Sequence, residues 1–237
     1  FRNADGSYFN ADFLKGKEKQ EKAGNSEKHP LFSLEHIRFK NFAFLFLDSL
    51  HSKSYHFDLV NTRVDFNESG AKERINLRGD WFFHGLTFKF KNGAYLKNKM
   101  AKVDWHLTWD HDNNRLDIGP ADLNVDGENF VLSGYLGMGK PAYLKLIIDH
   151  PGIRLEAGRK VIADNIRNAL SKFEIDQPIE TRVVVEGPLI TGRPAPVEVF
   201  FSTENAVVSA GKTEATETFF SGRFYNCDPD GPVNPHS

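Results

Sequence analysis

The sequence predicts a mostly-β fold, a long antiparallel meander carrying a single amphipathic helix. Three observations lead there. Between Arg74 and Trp109 apolar and polar residues alternate: Ile75, Leu77, Gly79, Trp81 and Phe83, then Leu86, Phe88 and Phe90 after a one-residue phase shift at His84-Gly85, and finally Val103, Trp105, Leu107 and Trp109. Period-two alternation sends one set of side chains to each face of a sheet. Turn-forming residues punctuate the chain at roughly 8–12-residue intervals, the spacing of strands joined by hairpins. Only Leu155–Phe173 has apolar residues at helical steps.

The elements follow in order. Residues 1–30, with KGKEKQEKAGNSEKHP inside them, are charged and poor in apolar side chains, and read as a mobile segment. From Leu31 the strands begin, and residues 31–225 make up the β unit. Ile37 and Phe39 alternate, the phase changes at Lys40-Asn41, and Phe42, Phe44 and Phe46 continue; such a change implies a bulge or a tight turn. Leu45 and Leu47 fall on the other face, so this strand is expected to be covered on both sides. Tyr55, Phe57, Leu59, Val64 and Phe66 follow, and Asn67-Glu68-Ser69-Gly70 and Lys91-Asn92-Gly93 carry turn chemistry. Leu116 and Ile118 precede Gly119-Pro120, and Leu123 and Val125 precede Asp126-Gly127, a hairpin signal because both residues of that pair tolerate positive φ.

Phe130, Leu132, Gly134 and Leu136 form the return strand, and Leu144, Leu146 and Ile148 the next. In the stretch Leu155–Phe173, Ile162, Ile166, Ala169, Leu170 and Phe173 recur at three- and four-residue steps, and Pro178 ends the helical reading. Val183, Val185, Val197, Val199, Phe201 and Val208 return to β periodicity, and residues 226–237, rich in proline, read as a coil tail. One helix cannot cover so many dry strand faces. The sheet must fold over on itself, meet a second sheet, or enclose something apolar.

Composition narrows the function. Thirty Lys+Arg against 32 Asp+Glu give a net charge of −2, with no basic excess to attract nucleic acid or an anionic membrane. A single cysteine, Cys227, excludes an internal disulfide framework. The anomaly is aromatic: 21 Phe beside six Tyr and three Trp. Phenylalanine has no polar tip, so these rings need a core, a ligand or a partner. No apolar run reaches the ~20 residues of a membrane-spanning helix. The chain opens at Phe1 without a methionine and stops at Asn234-Pro235-His236-Ser237, which reads as a fragment of something longer.

The search for chemistry yields no catalytic residue, metal site or cofactor site. Asp110-His111-Asp112 sits at a hairpin tip, where Asp serves turn geometry. Asp228-Pro229-Asp230-Gly231 lacks the length and closing Glu of a calcium loop. Cys227 has no identifiable base, and Gly137-Met138-Gly139-Lys140 lacks the phosphate-loop pattern. The nine His are scattered among Lys and Asp on the wet faces, with solvent exposure expected. The aromatic stripe remains. On the residues alone it is either the inside of an ordinary sandwich or the wall of a groove for acyl chains, which need apolar surface and no hydrogen bonds.

At these residues a resemblance enters. In Leu34–Phe66 (LEHIRFKNFAFLFLDSLHSKSYHFDLVNTRVDF) an alternating strand, an Asn, an aromatic strand, an Asp, a turn and a further strand follow in the order of the repeated units of AsmA-like proteins of Gram-negative bacteria. The helix-bearing part followed by IETRVVVEGPL is similar to another segment of that family, and Asn76–Asp110 and Phe220–Ser237 resemble Bacteroidetes-type members. The resemblance spans most of residues 31–237. It implies a bridge-like lipid transfer protein: a strongly curved sheet rolled into a U-shaped trough with an apolar interior. Such proteins are anchored in the inner membrane by a segment absent from this chain, span the periplasm, and carry phospholipid in outer-membrane biogenesis. The family offers no catalytic residue or cofactor to transfer onto this chain.

The resulting expectation is a non-enzymatic segment whose groove holds phospholipid acyl chains, with membrane contact through regions outside it and its partner proteins unspecified. The expected groove residues are Phe44, Phe46, Phe57, Phe83, Phe88, Phe90, Trp105, Leu107, Trp109, Leu132 and Leu146, with the Leu155–Phe173 helix covering the trough or capping one end. A carbohydrate-binding or adhesin-type sandwich, stacking sugars on Trp105 and Trp109, is the first alternative. A section of an outer-membrane barrel is the second, although the helix between strands is hard to place in it.

Overall fold

The computed structural model describes residues 35–189 and 195–226. They form one antiparallel sheet of eleven strands that is not closed. The strands are β1 (His36–Asp48), β2 (Lys53–Ser69), β3 (Lys72–Thr87), β4 (Lys99–Asp110), β5 (Arg115–Val125), β6 (Glu128–Gly137), β7 (Ala142–Ile153), β8 (Phe173–Ile175), β9 (Ile179–Leu189), β10 (Val197–Ala210) and β11 (Thr213–Asn226). Sequence neighbours are spatial neighbours from β1 to β7; β9 then pairs with β7, β10 with β9 and β11 with β10, while the short β8 lies against the far end of β10. The meander is therefore as the turn spacing implies. Residues 1–30, the tail beyond Asn226, Cys227 and Asp228–Gly231 lie outside the described residues.

The phase change at His84-Gly85 is a bulge, whereas the one at Lys40-Asn41 leaves the register unbroken. Lys40 faces Asn61 and Phe42 faces Leu59, so Asn41, at φ 50°, lies opposite Val60 and the two strands change phase together. On β2 the extra residue opposite β3 is Val60, because Leu59 faces Trp81 and Asn61 faces Asp80. On β3 it is His84, because Phe57 faces Phe83 and His56 faces Gly85. Each extra residue flips the alternation, so Phe42, Phe44 and Phe46 join the same face as Tyr55, Phe57, Trp81 and Phe83. Gly119-Pro120 and Gly187-Pro188 lie inside strands rather than between them. The former sits at a register shift of β5, the latter on the stretch of β9 beyond its pairing with β10. Asp126-Gly127 turns at φ 51° and 95°, as its hairpin chemistry requires.

The two faces differ in kind. The wet face carries opposite charges directly across strands: Arg78 to Asp104 at 2.7 Å, Arg182 to Asp149 at 2.6 Å and Lys145 to Glu186 at 3.0 Å. Each exposed pair contributes little stability, ~0.2–1 kcal/mol, but together they fix which face meets water. The dry face holds the buried cluster Trp81, Phe83, Ala101, Val103 and Val125, against which Phe57, Leu59, Leu77, Leu86, Leu96, Trp105, Leu123, Phe130 and Val161 pack.

The single helix expected over Leu155–Phe173 is two short ones, α1 (Leu155–Val161) and α2 (Asp164–Leu170), and Phe173 begins β8 instead of ending a helix. The break falls at Ile162-Ala163, both extended (ψ 163° and 154°). In a continuous helix the Val161 carbonyl would accept from the N–H of residue 165. Here it accepts from Leu96 N–H at 3.0 Å, tying α1 to the segment after β3. Ala163 is fully buried, and Asp164 begins α2 beside Gly93, with Arg167 closing on its carboxylate. The helices are thus positioned by tertiary contacts on a helix-periodic sequence.

The expectation that the first strand is covered on both faces is not met among the described residues. Leu45 and Leu47 are both exposed, 59% and 46%. His150 departs from the expected wet-face setting: it sits buried at the end of β7, with Phe130 edge-on at 4.9 Å and Glu128 at 3.2 Å.

Candidate functional site

The candidate site is the aromatic part of the dry face, spread over β1 to β4 and the segment that follows β3. Two lines of rings cross the strands. In one, Phe44 stacks on Phe57 at 4.8 Å, Phe57 on Trp81 at 5.2 Å with planes 4° apart, and Trp81 meets Trp105 at 5.3 Å. In the other, Phe46 stacks on Tyr55 at 5.4 Å, Tyr55 meets Phe88 at 5.4 Å, and Phe88 meets Tyr95 edge-on at 5.7 Å. Register explains the lines, since Phe44 and Phe57, Phe57 and Phe83, and Phe46 and Tyr55 are direct cross-strand partners. Cross-strand aromatic pairs of this kind add ~0.2–1 kcal/mol each beyond a small-residue reference.

Cover varies along these lines. Where Val161 of α1 and Leu96 lie against the sheet, Trp81 and Phe83 are 8% and 5% exposed. Towards β1 and the segment after β3 there is less cover: Phe42, Phe44, Phe88 and Phe90 remain 41–49% exposed. Burial holds the hydroxyls of Tyr55 and Tyr95 above the usual tyrosine pKa, with the Asp48 carboxylate adding to the effect at Tyr55.

The expected groove residues therefore divide. Phe44, Phe46, Phe57, Trp105, Leu107, Trp109 and Leu146 lie on the dry face, half-buried or exposed. Phe83 and Leu132 share that face but are buried. Phe88 and Phe90 lie beyond the end of β3, Phe90 within a single 3₁₀ turn (Phe90–Asn92), and both remain open. Trp105 donates its indole N–H to the Asp122 carbonyl at 3.1 Å, so its polar edge is tied to the sheet. Trp109 meets His111 edge-on at 6.3 Å.

Asp110 behaves as turn chemistry predicts: its carboxylate accepts the Asn113 backbone N–H and side-chain amide, both at 3.0 Å. Those hydrogen bonds, aided by Lys72 and Arg115, hold its carboxyl below the usual Asp value. On the wet face a polar recess of about 540 Å³ is lined by Asn67, Arg74, Asn76, His106 and Thr108.

One grouping on the wet face is not legible in the sequence: His56, Asp58 and His84 converge there, their ligand atoms within 4.8 Å of one another. His56 and Asp58 are spaced to share a strand face, but His84 reaches them only through the β2–β3 register and its bulge. No family of known proteins, no curated protein and no solved structure matches this chain.

Proposed function

We propose that this chain is a non-enzymatic section of a longer lipid-transport protein whose dry sheet face holds phospholipid acyl chains. The carrying observation is the pair of ring lines, one running from the covered Trp81 out to Phe44 and the other passing through Phe88, both of these rings more than two-fifths exposed. Single exposed apolar residues are ordinary, but a contiguous one-sided row on a sheet marks a surface that binds something apolar. Acyl chains suit it because they make no hydrogen bonds, and the row presents rings with few polar groups. Contact of this kind is non-directional, so the surface would discriminate poorly between acyl chains.

In this reading the sheet curves into a U-shaped trough whose floor is the dry face, and the charged cross-strand pairs keep the outer face in water. Helices α1 and α2 cover one stretch of the floor. The setting is the periplasm, with an inner-membrane anchor elsewhere in the longer protein and a role in outer-membrane biogenesis. This placement rests on the AsmA-like resemblance. Among the described residues no helix is long and apolar enough to cross a membrane.

The test is native mass spectrometry of protein purified without detergent, followed by extraction and identification of bound molecules. Co-purifying phospholipid is expected, and its loss on introducing Phe88→Asp or Trp105→Glu, each of which places a charge on the acyl path. Phospholipid retained in both variants, with far-UV circular dichroism unchanged, refutes the proposal. A lipid-free wild-type monomer that binds polysaccharide instead turns the reading to the sugar-binding alternative.

A further inference from the structure

On the opposite face from the ring lines, β2 and β3 bring together two imidazoles and a carboxylate. His56 and Asp58 are two residues apart on β2 and point to the same side. His84 is the extra residue of the β3 bulge, and the bulge aims its ring across β2 onto His56, with ring centroids 3.8 Å apart and planes at 16°. Phe82 packs edge-on against His84 at 4.8 Å, walling one side. His84 Nε2 lies 2.9 Å from Asp58 Oδ2. The other carboxylate oxygen, Oδ1, is shut off from solvent and accepts no hydrogen bond from the described residues. An orphaned carboxylate oxygen is a costly arrangement that folded proteins seldom leave unresolved.

We propose that His56, His84 and Asp58 form a binding site for a divalent first-row transition-metal ion of the zinc class. Neutral imidazole nitrogen and carboxylate oxygen are the donors such ions take. Tetrahedral coordination with bonds of about 2.0–2.2 Å sets ligand atoms about 3.3–3.6 Å apart. The three donors already lie within 4.8 Å of one another, so rotation about side-chain bonds closes the set without moving the strands. A cation also supplies what Asp58 Oδ1 lacks. All three residues are only partly buried, which leaves a remaining coordination position open to water. Across the strands the site is held by β2–β3 pairing: Phe57, between two of the ligands, faces Phe83, next to the third. A bound ion would staple β2 to β3, the strands that carry Tyr55, Phe57 and Trp81 of the ring lines. The inference stands on the wet face alone and does not depend on what the dry face binds.

The experiment uses the whole chain, stripped with a chelator and titrated with ZnCl₂ in equilibrium dialysis and with CoCl₂ in visible absorption. One ion per chain is expected, with the d–d bands of a low-coordinate Co²⁺ site. His84→Gln and Asp58→Asn should each weaken binding tenfold or more, while far-UV circular dichroism is unchanged. Should either variant misfold, the wild-type chain still decides the matter. Substoichiometric Co²⁺ should broaden two sets of imidazole C–H proton resonances ahead of the rest, and ZnCl₂ should raise the melting temperature. The proposal is overturned by uptake that is equal in the folded variants and the wild type, by uniform broadening of all histidines, or by no saturable binding up to millimolar ZnCl₂.

Discussion

Phe44 and Trp81 lie on the same ring line and share the neighbour Phe57, yet their truncation should have different consequences. Trp81 is 8% exposed and packs on Phe57, Phe83 and Trp105; Phe44 is 41% exposed on the terminal strand β1. Truncating a buried aromatic to alanine costs ~3–5 kcal/mol. The Trp81 indole N–H is buried without an acceptor among the described residues, so removing it returns part of that sum, ~1–3 kcal/mol for an unpaired donor. Trp81→Ala should therefore cost about 2 kcal/mol, and Trp81→Phe, which keeps a ring and deletes the orphan donor, less than about 1 kcal/mol.

Full burial of a phenylalanine side chain contributes ~1.5–3 kcal/mol, and somewhat more than half of Phe44 is buried, so Phe44→Ala should cost about 1 kcal/mol. Urea unfolding followed by far-UV circular dichroism measures all three, with the denaturant slope checked for constancy. A Phe44→Ala cost equal to that of Trp81→Ala would mean that Phe44 sits in a closed core. The case for an open apolar surface would then fail.

Further outcomes follow from local geometry. Gly79 faces Thr62 beside the β2 bulge, and a Cβ there would collide with the Asn61 carbonyl and the Thr62 backbone. Gly79→Ala should destabilise by about 1–3 kcal/mol, the usual cost of forcing extra volume into packed structure, and thermal unfolding showing no loss would contradict the assigned register. Asp110 has a folded-state pKa below its ordinary value, so its contribution is present above the unfolded carboxylate pKa of about 3.9 and disappears as pH falls through the lowered value. Asp110→Asn should be less stable than wild type at pH 7, the gap narrowing below about pH 4. A gap that stays constant from pH 7 to pH 3 would exclude the charge as its source.

Much of the architecture is legible in the residues because β periodicity is local. Alternation over Ile75–Phe83 and Val103–Trp109 assigns those side chains to a face, Asp126-Gly127 marks its hairpin, and the phase change at His84-Gly85 locates a bulge. The one at Lys40-Asn41 marks a point where β1 and β2 change phase together without a register shift. In a meander each strand pairs mainly with its chain neighbours, so local signals also carry most of the topology.

What the sequence could not determine depends on contacts between distant residues. The helical periodicity of residues 155–173 is real, but the Leu96 N–H takes the Val161 carbonyl and the helix divides in two. Phe83 and Phe44 look equivalent as members of one alternating apolar set. Only the packing of Val161 and Leu96 over the cluster that holds Phe83 makes it core while Phe44 stays open. His56, Asp58 and His84 have no common spacing, because cross-strand register, with one extra residue at the bulge, brings them together. The sequence by itself determined which face most strand residues serve, since that follows from a two-residue period. Only tertiary structure decided which parts of a face are covered and which side chains converge, since both depend on register and on elements distant in the chain.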